Sequence, residues 1–145
     1  MNIEIINKAL SIDIYGFSGV ALNKDYAATA FRLMDKMWRT VKTNGLKNKG
    51  LNIWVYEPGE KVFAGVELDD GYQYSNELEQ KNIYLEKYAY YKHIGPYNLI
   101  KQAGQNMTAE LKQLGLETGP LYIEIYGHWI EDETKLETEL LVSLT

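Results

Sequence analysis

The sequence has no cysteine in its 145 residues. Disulfide staples, thiolate metal sites and cysteine nucleophiles are therefore excluded. It has no apolar run near the ~20 residues that a membrane-spanning helix requires. Its first seven residues lack a basic leader followed by an apolar stretch, so no signal peptide is expected and the expected location is cytoplasmic. Positive charge is also short: 15 Lys and Arg stand against 20 Asp and Glu, a net charge of -5. That balance argues against direct nucleic-acid binding and against an anionic membrane surface as partner. Histidine is scarce, and His93 and His128 have no ligand-like spacing. No metal site and no cofactor are expected. Gly16 and Gly19 do not make a phosphate loop, and no Ser-His-Asp order is apparent.

Tyrosine, by contrast, is abundant. There are twelve tyrosines beside three tryptophans, in a chain whose 46% hydrophobic and 24% charged content is ordinary for a soluble globular domain. Tyr and Trp combine apolar area with a polar handle, which suits ligand pockets and interfaces. Lysine and arginine gather in one place: Lys24, Arg32, Lys36, Arg39, Lys42, Lys47 and Lys49 face only Asp25 and Asp35 over the same stretch. Such a run is usually the solvated side of a helix, and it could also dock an acidic partner.

Periodicity divides the chain into two similar halves. Residues 10–22 read as a strand interrupted by Gly16 and Gly19. Asn23 is the expected helix cap, and Ala27, Phe31, Met34, Trp38 and Val41 recur at helical spacing up to Asn44-Gly45. Residues 52–56 and 62–68 form a hairpin across a Pro58-Gly59 turn. Residues 69–82 are polar and read as a linker. Residues 83–94 read as one long strand ended by Gly95-Pro96. Asn98 then caps a helix carrying Ile100, Ala103, Met107, Leu111 and Leu114, and strands follow at 121–126 and 136–144.

Each half is thus strand, helix, strand, strand, and Ile53-Trp54-Val55-Tyr56 lies 70 positions before Ile123-Glu124-Ile125-Tyr126. The expected fold class is α+β. Two pseudo-symmetric modules join their antiparallel sheets and carry both helices on one face. One domain spans 1–145, with module 1 at about 1–69, a linker at about 70–82 and module 2 at about 83–145. A ligand is expected on the face away from the helices or at the seam between modules.

The strand at 121–126 carries the chemistry. Side chains alternate faces along a strand, so Leu121, Ile123 and Ile125 share one face, and Tyr122, Glu124 and Tyr126 share the other. A buried carboxylate without a partner is costly. A glutamate between two tyrosines is therefore exposed to water, protonated, paired within the chain, or waiting for a cation from outside. Repeat symmetry makes Trp54 the mate of Glu124 and Tyr56 the mate of Tyr126. Strand parity adds Tyr91, and His93 could line the same hollow.

Tyr90-Tyr91-Lys92-His93-Ile94-Gly95-Pro96-Tyr97, the helix after it, Glu124-Ile125-Tyr126 and the closing strand resemble the GyrI-like small-molecule-binding family. That family includes the effector-binding domains of AraC- and MerR-type multidrug regulators. Phe63-Ala64-Gly65-Val66 resembles the last strand of its first module. The resemblance implies two strand-helix-strand-strand modules and an aromatic pocket for lipophilic cations. The acidic residue that meets the positive charge maps onto Glu124, with Tyr126 as the aromatic that follows it. No helix-turn-helix segment is present, so the expectation is a stand-alone effector-binding protein that works with a separate partner or regulator. Two alternatives stay open: a GyrI-like hydrolase using Glu124 as general base, and a protein-binding module of gyrase-inhibitor or regulator-docking type.

Overall fold

A computed structural model describes residues 1–69 and 77–145. The strands are β1 (Glu4–Ile6), β2 (Leu10–Val20), β3 (Asn52–Glu57), β4 (Lys61–Val66), β5 (Glu79–Leu85), β6 (Tyr88–Ile94), β7 (Thr118–Tyr126) and β8 (Glu137–Leu144). The helices are α1 (Tyr26–Thr43) and α2 (Ile100–Gln113). All strand pairs are antiparallel, in the order β1-β6-β8-β7-β3-β4-β2-β5.

The two modules are β2-α1-β3-β4 and β6-α2-β7-β8, and they join where β3 pairs with β7. Trp54 and Glu124 are at once repeat mates and direct partners across this ladder. The pseudo-two-fold axis therefore runs between them. The expected architecture, one joined antiparallel sheet with both helices on one face, is the observed one.

Each face has its own core. On the helix face, α1 seats Ala30, Leu33, Met37 and Val41 against Phe17, Val62, Ala64 and Val66. In the same way α2 seats Ile100, Ala103, Met107 and Leu111 against Ala89, Leu140 and Val142. The opposite face carries no helix, yet it is not open. Ile14 of β2, Ile83 and Leu85 of β5, Ile123 of β7 and Leu141 of β8 meet in one buried cluster. Strands this far apart in the ladder meet only because the sheet curls on itself. The curl fills the helix-free face with its own side chains.

Several local expectations are corrected. The strand expected at 83–94 is two strands broken at Glu86-Lys87. Ile83 and Leu85 point inward, then Tyr88 and Tyr90 do, so the inward parity switches across the break. Parity is what fixes a strand's partners, and β5 pairs with β2 whereas β6 pairs with β8. Residues 79–82, expected in the linker, belong to β5, and residues 70–76 lie outside the described residues. Finally, α1 is capped by Asp25, which accepts from the Ala28 N–H at 3.3 Å. Its buried stripe is turned by about one residue from the expected one. Asn23 sits in a short left-handed turn before it, and Asn98 lies in the 3-10 turn before α2 without capping it. Phe31, expected in the core, is 55% exposed at the edge of α1, and Leu114 is exposed past the end of α2.

Candidate functional site

The seam between the modules carries the arrangement of interest. Because β3 and β7 pair antiparallel, Asn52, Trp54 and Tyr56 share the helix face with Tyr126, Glu124 and Tyr122. Glu124 is 7% exposed there, between the two helices. Its Oε1 accepts hydrogen bonds from the Tyr126 hydroxyl at 2.7 Å and the Tyr56 hydroxyl at 3.2 Å. Its Oε2 accepts from the Tyr122 hydroxyl at 2.8 Å. Among the described residues, no lysine, arginine or histidine forms an ion pair with it. Three neutral donors satisfy the acceptor sites without supplying positive charge.

The tyrosines respond to this placement. Burial, and then the negative charge of Glu124 and the bonds to it, push the Tyr56, Tyr122 and Tyr126 hydroxyls well above the usual phenol range. Their protons are held, and they remain donors at any physiological pH.

Aromatic rings enclose the group. Tyr56 stacks on Tyr122 at 5.6 Å, and Trp54 meets Tyr126 edge-on at 4.8 Å. Three further rings close the cluster from the helix layer: Tyr26 against Tyr56 at 5.8 Å, Phe31 against Trp54 at 5.2 Å and Tyr97 against Tyr126 at 5.6 Å. The rings pack against one another, and the two surface hollows of about 430 and 410 Å³ lie elsewhere, at Met1-Tyr90-Lys92 and at Ser18-Lys61-Glu79. Gly104 of α2 permits this closeness, since a Cβ there would come within 3.0 Å of the Tyr122 hydroxyl.

Of the residues singled out in the sequence, Trp54, Tyr56, Tyr122, Glu124 and Tyr126 come together. Tyr91 shares the helix face but stands two strands away, with Leu140 between it and Glu124. It lines the hollow near the N-terminus instead. His93 is buried beyond Thr138 and donates from Nε2 to the Pro96 carbonyl at 3.2 Å. That bond holds the Gly95-Pro96 corner from which Tyr97 reaches Tyr126. Tyr26, Phe31, Tyr97 and Gly104 were not anticipated. Tyr26 and Tyr97 carry a signal in retrospect: each opens the helical segment of its module, so each is placed over the seam by the same repeat.

Outside the seam, the cations of the α1 region are largely without carboxylate partners among the described residues. Lys49 pairs with Glu67 at 3.4 Å, while Lys36 lies over the Phe17 ring at 4.2 Å. Arg39 donates only to the Asp35 carbonyl.

No family model matches the sequence, and no curated protein matches it. Solved structures share its fold. The C-terminal domain of EcmrR superposes with a TM-score of 0.77 at 15% identity, covering 100% of this chain and 99% of that one. SAV2435, solved bound to tetraphenylphosphonium, superposes at 0.70 with 15% identity, covering 100% of this chain and 94% of that one. A hydrolase from Listeria innocua superposes at 0.59 with 10% identity, covering 99% and 91%. The fold is of the GyrI-like kind.

Proposed function

We propose that this chain binds lipophilic, aromatic cations at the seam, with Glu124 meeting the positive charge. One observation carries the reading. Glu124 is 7% exposed, and among the described residues its hydrogen-bond partners are three tyrosine hydroxyls and no basic group forms an ion pair with it. In a low-dielectric site a carboxylate attracts an external cation far more strongly than it does in water. The surrounding ring faces add about 0.5–2 kcal/mol each by cation–π attraction. SAV2435, a structure with the same fold, holds tetraphenylphosphonium, a cation of this class. Phe31 and Tyr97 are the exposed rings of the cluster and form its edge, where a ligand would enter.

The chain then acts as an effector-binding domain that works in the cytoplasm with a regulator. Among the described residues, Lys24 just before α1 and Arg32 and Lys42 within it form no ion pair, and they suit docking to an acidic surface of such a partner. A hydrolytic reading rests on the same Glu124, as general base with a tyrosine hydroxyl beside it, and is favoured by the Listeria innocua neighbour. Titration with tetraphenylphosphonium, followed by tryptophan fluorescence, tests the binding reading. Saturable quenching is expected, with no response to neutral triphenylmethanol. Ester turnover lost in Glu124→Gln, without cation binding, would favour the hydrolase.

A further inference from the structure

The chain contains two tryptophans in its interior layers, and it treats their N–H groups differently. Trp38 Nε1 donates to Asn52 Oδ1, a dedicated acceptor. Trp54 is 6% exposed, and among the described residues its Nε1 has no hydrogen-bond partner. A buried donor left unmet is costly. The orphaned donor is not in a remote part of the core. It belongs to the ring that sits directly opposite Glu124 across the β3–β7 ladder and touches Tyr126 and Phe31 edge-on. The neighbouring ring faces are at best weak acceptors.

We infer that Trp54 is a specificity-determining residue: its indole N–H selects, among aromatic cations, those that also carry a neutral hydrogen-bond acceptor such as a carbonyl, ether or aza nitrogen. The inference rests on the binding reading above and narrows its ligand class. Cross-strand partners have Cβ atoms about 5 Å apart. The positive centre at Glu124 and the acceptor at Trp54 therefore fit within one small aromatic molecule. A ligand that lacks the acceptor gains the charge but leaves the indole unmet. A ligand that has it removes a cost already present in the free protein, and such a polar pairing discriminates more sharply than added apolar area. Phe31, whose exposed ring contacts Trp54 edge-on from α1, lies on the solvent side of that ring.

The test uses the wild-type chain with two matched probes, (4-acetylphenyl)triphenylphosphonium and its 4-isopropylphenyl analogue, which has nearly the same shape without the carbonyl oxygen. In ¹⁵N-labelled protein, the Trp54 indole proton is expected to move downfield with the acetyl probe and not with the isopropyl probe. Trp38 should stay put with both and serves as the internal reference. By calorimetry, the acetyl-to-isopropyl affinity ratio is expected to fall roughly fivefold or more in Trp54→Phe. An indole signal that responds alike to both probes, or a ratio unchanged by the substitution, overturns the inference while leaving cation binding intact. Failure of both probes to bind the wild type overturns the binding reading itself, and this inference with it.

Discussion

Tyr56 and Tyr126, mates in the internal repeat and seventy residues apart in sequence, donate to the same oxygen of Glu124. The distances are 3.2 and 2.7 Å. The two modules therefore meet on one atom rather than merely side by side. Tyr56 and Tyr126 keep the repeat's symmetry, while their neighbours Trp54 and Glu124 break it, an aromatic ring in one half and a charge in the other.

That shared oxygen makes the two tyrosines energetically coupled. Tyr126→Phe removes the shorter bond and is expected to lower stability by about 1–3 kcal/mol, with Tyr56→Phe costing less. Removing both leaves Oε1 without a donor. The double variant should lose more than the sum of the singles, by roughly 0.5 kcal/mol or more, in a denaturant-unfolding cycle. Strict additivity would show that the hydroxyls act independently.

Alkaline pH provides a second check. Tyr56, Tyr122 and Tyr126 hold their protons in the folded chain above the unfolded value of about 10. Their contribution is fully present below pH 10. It falls as pH rises further, because the unfolded chain loses protons that the folded chain keeps. Each adds a slope of up to about 1.4 kcal/mol per pH unit. Tyr90, bonded to Glu139 at 2.6 Å, adds a further raised group away from the seam. Tyrosinate absorbance should therefore rise together with unfolding for these residues, and Tyr122→Phe should make the loss of stability shallower.

How much of this was legible in the sequence follows from which signals are local. The repeat, the strand–helix–strand–strand order and the face shared by Tyr122, Glu124 and Tyr126 are written in short-range spacing, and the structure shows that fold. The break at Glu86-Lys87 has no glycine or proline to announce it. It separates β5, which pairs with β2, from β6, which pairs with β8 toward the other end of the sheet, and those pairings are long-range. The burial of Glu124 was equally hidden. A polar face on one strand gives no sign of the helices that cover it, and only pairing with β3 brings Tyr56 within reach. Phe31 fits the helical period well, but the buried stripe of α1 runs through Ala30, Leu33 and Met37 one residue away, which leaves Phe31 at the edge against Trp54.

Gly104 tests how tightly α2 sits on the site. Alanine in mid-helix ordinarily gains about 0.5–1 kcal/mol over glycine. At Gly104 the new methyl meets the Tyr122 hydroxyl at 3.0 Å, so Gly104→Ala is expected to push that hydroxyl off Glu124 and to destabilise. In a Tyr122→Phe background the obstacle is gone and the same substitution should stabilise. Thermal unfolding of the four proteins reads the sign directly, and a stabilising effect in both backgrounds would mean the helix does not press on the site.

The most direct measurement is calorimetric titration of wild type and Glu124→Gln with tetraphenylphosphonium. Glutamine keeps the size of the side chain and removes its charge. Losing one partner of a buried charge pair costs about 2–5 kcal/mol, so affinity should fall by roughly thirtyfold or more with the fold intact by circular dichroism. Equal affinity in the two proteins would contradict the assignment of Glu124 as the group that meets the cation.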